Sequence, residues 1–445
     1  MPTVGHGAVN PGDTHAVSAA GPAKVGWRPW YVLALLFVVA LFNYIDRSIL
    51  SILQEPIKRD LGLTDTHLGA LTGLTFALFY TTMGLPIARL ADRTSYKLVL
   101  AVAVTLWCVM TALCGAATGF FVLFLCRVGV ALGEAAGAPT SHALIAENFP
   151  IGKRSTAMGI WGLSVPIGGM FGMSLAGWLD HQVGWRHAFF ILGLAGTMLG
   201  PIVYFTISEP RRIQRQGIQA GLKVSQSLRV LWNLKTFRYL TIGGLFNNFA
   251  AHTIHSWAGP FYVRAYDLPL IKAGLYLAVI AGVGGVLGTY LAGAIADRLG
   301  KRDLRWYPRV PAIGALFVVP LGLVQYLYPN LALSVVVGVL VQAMLSAHVA
   351  PAIGTVQSLV SPHMRAFASA VFILGANMVG LALGPLLAGH VSDVLIARGM
   401  THTSLGVAIA MVLVGPLIGG FFYWRASRYI HEEMGAARTR DGELA

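Results

Sequence analysis

Four ionisable residues occupy positions where charge is expensive. Asp46 and Arg47 fall inside an apolar run over 30–53, and Arg127 and Glu134 fall inside another over 120–146. A charge at the centre of a bilayer costs about 2.5–3.5 kcal/mol on insertion scales, so four left uncompensated cost on the order of 10 kcal/mol. Such groups must pair with one another or face water. Arg127 and Glu134 are nearly two helical turns apart, roughly 10.5 Å along one face. They share a face at a spacing too long for easy direct contact, and Asp46 is the natural third member. Burial pulls an acid towards its neutral form and a nearby guanidinium pulls it back, so an acid held between the two titrates near neutral pH. Protonation of Asp46 or Glu134 would release Arg127 to an anionic group, and departure of that anion would let the pair re-form. The chemistry suited to this cluster is exchange of a proton for an anion, with Arg127 alternating between the two acids or bridging them. Arg47 is a second candidate cation for the ligand.

The elements that must position these residues are transmembrane helices. Of 445 residues, 56% are hydrophobic and 11% are charged, against about 25% charged in a soluble domain. The apolar residues come in runs of about 20, the length that spans a bilayer. They lie near 30–53, 67–90, 98–118, 120–146, 154–180, 185–207, 236–262, 270–296, 308–328, 331–358, 364–393 and 402–425. An all-α polytopic membrane protein with twelve such helices is therefore expected. The net charge of +14 does not point to nucleic acid, because most of the Lys and Arg sit between alternate runs. That is the topology signal of a chain threaded through a bilayer, and it places both termini in the cytoplasm, with the cell (inner) membrane as the expected location. Cys108, Cys114 and Cys126 all fall within runs and lack the spacing of a zinc site. No metal or cofactor is expected, the proton gradient being the only drive. Motifs of the HExxH, P-loop and GxSxG kinds are absent from the sequence, so an enzyme is not expected.

The chain divides into a Gly-, Ala- and Pro-rich tail over 1–28, read as disordered, six runs over 29–207, a basic linker over 208–235, six runs over 236–428 and a second tail over 429–445. The halves resemble each other. "ARLADRTSYK" (88–97) follows the second run and "GAIADRLGKR" (293–302) follows the eighth. An internal repeat at about half the chain length is a transporter signature, with the substrate site near the midplane between two pseudo-symmetric six-helix bundles. Asp92 and Arg93, with Asp297 and Arg298, stand at the cytoplasmic ends of these runs. A carboxylate there can accept bonds from a neighbouring helix N-terminus, so they read as conformational latches.

The second of these segments resembles the G-x-x-x-D-R-x-G-R-K loop of the major facilitator superfamily, while the first departs from it with Ala88 and Ser95 at the two glycine positions. "FNYIDRSIL" (42–50) and "RVGVALGEAAGAPTSHALIAENFP" (127–150) resemble the Spinster family, which exports lysolipids and sphingolipids. They resemble somewhat less the bacterial proton-coupled symporters of sugar acids. The Spinster resemblance implies the major facilitator fold and proton-linked transport by Asp46, Arg127 and Glu134.

The C-terminal half lacks matching acids within its runs. The repeat offset carries Asp46 onto Ala251, beside His252. His252 and His255 share one helix face, and with Asn247, Asn248 and Trp257 they form a candidate wall for a headgroup. Two histidines without a third ligand are weak metal ligands. His142 and His348 read as hydrogen-bonding residues of the packing. The glycine-rich segments 162–172 and 375–389, with Pro166 and Pro385, suit close helix packing. The end of the last run, with Tyr423, Trp424, Arg425, Arg428 and Tyr429, suits anchoring at the interface. The expected protein is a monomer in a lipid bilayer. It moves a lysophospholipid- or sphingosine-phosphate-like amphiphile by alternating access, or alternatively a small organic anion such as a sugar acid.

Overall fold

The structure, a computed structural model, describes residues 26–208, 224–361 and 364–442. Most of the tail read over 1–28 and most of the linker read over 208–235 lie outside these residues.

Each apolar run becomes a helix because a backbone in hydrocarbon must satisfy its own N–H and C=O groups. The long helices are α1 (Trp27–Leu61), α2 (Asp65–Arg93), α3 (Tyr96–Cys114), α4 (Phe120–Asn148), α5 (151–183), α6 (185–206), α7 (Lys235–Tyr266), α8 (Leu270–Gly300), α9 (Trp306–Leu327), α10 (Leu331–Ser358), α11 (Arg365–Ala397) and α12 (Ser404–Ala426). Ten helical stretches among the described residues are long and apolar enough to cross a membrane. One of them, Thr156–Thr206, is broken at Gly184, whose φ of 80° and ψ of 162° fit a residue without a Cβ, and so supplies both α5 and α6. α7 was not among the ten, yet it is 32 residues long and packs with the others.

Local sequence sets the ends and breaks. α1 stops at Gly62, which is left-handed at φ 63°. Thr64 then caps α2, accepting from the N–H of His67 at 3.3 Å. α4 is interrupted by a turn after Glu134. Pro139 explains the break, since it cannot donate to the carbonyl four residues back and its ring crowds that carbonyl. α10 is interrupted after Ser346, five residues before Pro351, as α4 is interrupted five residues before Pro139.

The two halves repeat their packing. In the first, α5 lies on α1: a Cβ added to Gly172 would come within 2.8 Å of the Ile45 Cα. α6 lies on α3, with Gly193 against Ala112 and Gly196 against Cys108. In the second, α11 lies on α7 through Gly380 and Gly384 against Asn248 and Phe249. α12 lies on α9, with Leu413 against Gly322. Small residues permit these close backbone approaches. After α12 a helix over Ile430–Gly442 folds back. There Glu433 accepts the backbone N–H groups of Lys235 and Thr236 at 2.7 and 2.9 Å, capping α7.

The halves meet on the face remote from the chain ends. Arg264 at the end of α7 binds both carboxylate oxygens of Asp65 on α2 at 2.7 Å each, and its Nε donates to Glu55 on α1 at 2.6 Å. Lys58 and Ser392 donate to the same Asp65 carboxylate, at 2.6 and 2.7 Å. Asp393 on α11 accepts the backbone N–H groups of Asp65 and Thr66 at 2.9 and 2.8 Å, capping α2 from the other half. Gln54 donates to the carbonyl of Ser256. Between the halves, beneath this seal, lies a cavity of about 1030 Å³ whose lining reaches Asp297 at the other end of α8, so it extends to the face where the chain ends lie.

Candidate functional site

The site is built from α1 and α4. On α1, Tyr44, Arg47, Ser48 and Ser51 follow helical spacing and line the cavity. Asp46, one residue round the helix, turns into the bundle and is 5% exposed. Its Oδ1 accepts the Thr111 hydroxyl of α3 at 2.8 Å, and its Oδ2 lies 3.9 Å from Arg127 Nη1. Arg47 takes the other acid, its Nε donating to Glu134 Oε2 at 2.8 Å. Glu134 stands at the break in α4 that Pro139 produces.

Arg127 and Glu134 therefore do not bind each other. Each is paired across to α1, in two ion pairs side by side. Asp46 and Glu134 thus belong to one buried cluster, each paired with an arginine across the α1–α4 contact. Arg47 is enclosed by aromatic rings, its guanidinium carbon 4.4 Å from the Phe76 centroid, 4.9 Å from Tyr80 and 5.4 Å from Tyr44. Cation–π attraction of this kind stabilises a desolvated guanidinium by about 2 kcal/mol. Arg127 is held more loosely. It is 3% exposed and lines the cavity, and its Nε and Nη1 have no hydrogen-bond acceptor among the described residues. A buried guanidinium with unused donors at the edge of a cavity is a ready site for a carboxylate or phosphate once it turns towards it.

The opposite wall comes from the second half. His252, His255, Ser256, Gln342 and Ser346 line the cavity. His252 Nε2 lies 3.0 Å from Asn377 Oδ1. Between the two walls the lining is apolar, with Phe76, Val165, Met173, Val286, Val349 and Leu381.

Two residues that sequence spacing offered as part of the ligand wall lie elsewhere. Trp257 is fully buried and donates its indole N–H to the Pro385 carbonyl at 2.8 Å, while Asn248 donates to the Ala376 carbonyl at 3.3 Å. Both join α7 to α11, and neither lines the cavity. Asn247 and His348 bind each other at 3.0 Å within the second half. Asp92 accepts the Tyr96 hydroxyl at 2.6 Å across the α2–α3 turn, and Arg93 beside it is exposed. Asp297 lies at the cavity mouth with Arg298 next to it, exposed. Among the described residues no group of three His, Cys, Asp or Glu could hold a metal ion.

The seal formed by Glu55, Lys58, Asp65, Arg264 and Asp393 was not singled out in the sequence. These charges sit at the ends of apolar runs, where topology alone accounts for them. The signal available was Asp65 directly after Thr64 at a helix start, one of several acids in such places. The aromatic enclosure of Arg47 was equally hidden, because Phe76 and Tyr80 read as ordinary apolar residues of their run.

An all-helical protein with a charged cavity between two repeated halves is a secondary transporter in form, and the comparisons with known proteins agree. Residues 36–385 match the model of the Major Facilitator Superfamily, and the chain belongs to that family. It is 34% identical over 432 residues to an MFS-type efflux pump of Mycolicibacterium smegmatis (strain ATCC 700084 / mc(2)155), covering 96% of this chain and 98% of the relative. It is 29% identical over 337 residues to a probable galactarate/D-glucarate transporter of Bacillus subtilis (strain 168), covering 69% and 73%. Among solved structures it resembles a bacterial homolog to the human lysosomal transporter Spinster, in an inward-facing and occupied conformation. The TM-score is 0.81 at 26% identity, with 92% of this chain and 98% of that one covered. The chain is thus a membrane transporter with Spinster-like and sugar-acid-transporter relatives, and not an enzyme.

Proposed function

We propose that this protein is a proton-coupled transporter of an amphiphile with an anionic or zwitterionic headgroup, of the lysophospholipid or sphingosine-phosphate type, working by alternating access. The observation that carries the reading is Arg127: a buried guanidinium with unused donors at the head of a cavity whose walls are largely apolar. The headgroup would bind Arg127, with Arg47 beside it, and the tail would lie along Val165, Val286 and Val349. Asp46 and Glu134 would take the proton. With one proton between two adjacent carboxyls, Asp46 loosens its hold on Arg127, which turns to the anion. The resemblance to a Spinster homolog over nearly the whole chain supports a Spinster-type transporter.

The sealed face would be the outer one. The Lys and Arg bias supports cytoplasmic termini and a place in the cell membrane, which makes this arrangement inward-open. Asp92 with Arg93, and Asp297 with Arg298, would form the closing contacts of the opposite state. The protein would act as a monomer.

A second reading is a proton symporter of a sugar acid. It is favoured by the polar strip His252, His255, Gln342 and Ser346 opposite Arg127, which could bind hydroxyl groups, and by the sugar-acid transporters among the relatives. The test is uptake into proteoliposomes of lysophosphatidic acid, sphingosine phosphate and D-glucarate, each with and without a pH gradient. Gradient-driven movement of a lipid and not of glucarate is the expected result. Movement of glucarate alone establishes the second reading, and movement that ignores the gradient for every compound removes the proton from the scheme.

A further inference from the structure

Within the first half lies a second, smaller cavity of about 30 Å³. Tyr44 and Arg47 line both cavities and so stand between them. The small one is bounded by α1, α2, α3, α4 and α5, with Asn43, Trp107, Glu134, Ala138, Ser141 and Trp161 among its lining residues. Three buried polar atoms of these side chains have no hydrogen-bond partner among the described residues: Trp107 Nε1, Trp161 Nε1 and Glu134 Oε1. Buried polar groups are almost always paired. An indole N–H can only donate and a carboxylate oxygen accepts, so these three are complementary, yet no two of them meet directly. The volume suits one or two water molecules, each needing about 10–15 Å³ and two to four polar partners. With Glu134 ionised, a water here can accept from an indole and donate to Glu134 Oε1 and Ser141; with Glu134 protonated, it can accept from Oε1–H through its second lone pair.

The position gives the water a use. Ala138 and Ser141 lie about 6 and 10 Å beyond Glu134 along α4, towards the face where the chain ends lie. The outer side of Trp161 meets the exposed His142, with ring centroids 4.6 Å apart. Glu134 thus binds Arg47 through Oε2, while its side chain lines the small cavity and not the substrate cavity. The charged and titratable groups facing Glu134 are Tyr44, Asp46 and Arg47 from α1, Tyr80 from α2, Cys108 from α3 and Arg127 on its own helix. Of these, Tyr44, Arg47 and Arg127 line the substrate cavity, and Asp46, Tyr80 and Cys108 do not.

We propose that this cavity is a water-filled proton port: ordered water held by Trp107 and Trp161 carries protons between Glu134 and the face bearing the chain ends, separately from the substrate. The proposal rests on the reading that Glu134 takes part in proton coupling. In the releasing step the O–H bond at Oε1 breaks and its hydrogen passes to the water oxygen. The water passes one of its own hydrogens to Ser141, which is 1% exposed, and the Ser141 hydroxyl hydrogen moves on through a second water to solvent. Glu134 is left as a carboxylate paired with Arg47, and one proton has been delivered to bulk water. Arg47 forms the partition that keeps substrate and proton from competing for one path.

The first test uses the unmodified full-length protein in nanodiscs. Hydroxyl-radical footprinting by pulsed X-rays oxidises buried side chains that hold ordered water. Labelling of Trp107 and Trp161 above that of fully buried Trp257 is expected, and labelling no higher than that of Trp257 overturns the proposal. The second test follows carboxyl infrared bands after a pH jump. The band missing from Glu134→Gln belongs to Glu134. Its response should slow by about tenfold or more in Ala138→Leu, which fills the cavity, and in Trp161→Phe, which removes a donor. Unchanged rates in folded variants overturn the port while leaving Glu134 as a titrating group. If Glu134→Gln removes no band over the working pH range, the coupling reading itself fails.

Discussion

On one side of the cavity the first half presents Arg47 and Arg127, with Asp46 and Glu134 behind them, whereas the second half presents His252, His255, Gln342 and Ser346. The backbones that hold these groups correspond closely. Glu134 ends the first part of α4 just before a break imposed by Pro139, and Ser346 ends the first part of α10 just before a break at the matching distance from Pro351. The residue that ends the first part is an acid in one half and a serine in the other. α5 packs on α1 as α11 packs on α7, again through glycines. What the halves share is packing, and what separates them is charge. A repeated scaffold can thus keep its rocking geometry while one copy takes the proton and anion chemistry and the other supplies a neutral wall.

The largest effect should come from removing the charge asymmetry. Asp46→Asn is expected to abolish gradient-driven accumulation in proteoliposomes while leaving the protein folded, since Thr111 can still bond the amide. Full retention of coupling would remove Asp46 from the scheme and blunt the contrast between halves. Arg127→Ala should lower uptake by about 10²-fold, and it leaves Asp46 buried without its cation, a loss on the order of 3–5 kcal/mol when one partner of a buried pair is removed. Unchanged uptake and pH dependence would make Arg127 structural.

Next comes the seal that joins the halves. Arg264→Ala strips Asp65 and Glu55 of their shared cation. It should weaken closure by about 3–5 kcal/mol and shift the protein towards opening at that face. Distance measurements between spin labels on the ends of α1 and α7 read this directly, and an unmoved distribution would mean that the glycine contacts alone hold the face shut. The smallest effect belongs to the neutral wall. His252→Ala breaks the contact with Asn377 and should alter relative uptake of two substrates several-fold, about 1 kcal/mol, without changing pH coupling. A change in coupling would show that proton chemistry extends into the second half.

Much of this was legible in the sequence. Run length and composition gave the helices, the repeated "ADR" segments gave the two halves, and the cost of buried charge singled out Asp46, Arg47, Arg127 and Glu134. The pairing was not legible. Spacing along α4 suggested one arginine serving two acids, but adjacent residues on α1 point about 100° apart, so Asp46 and Arg47 each reach a different partner. Helical periodicity also places Trp257, five residues after His252, well round the helix from the histidine face, and the structure buries it there. Asn248 lies one turn from His252 on nearly the same line, and only the nearness of the Ala376 carbonyl decides its role. The seal depended on contacts between residues such as Asp65 and Asp393, hundreds of positions apart, which no local pattern encodes.

The clasp between Glu433 and the start of α7 joins the helix that follows α12 to the first long helix of the second half. A unit whose two ends meet is a self-contained piece of folding. A gene divided within 209–223 and expressed as two open reading frames should therefore yield fragments that assemble into an active pair. Ending the second fragment before Glu433 should lower the yield of that assembly.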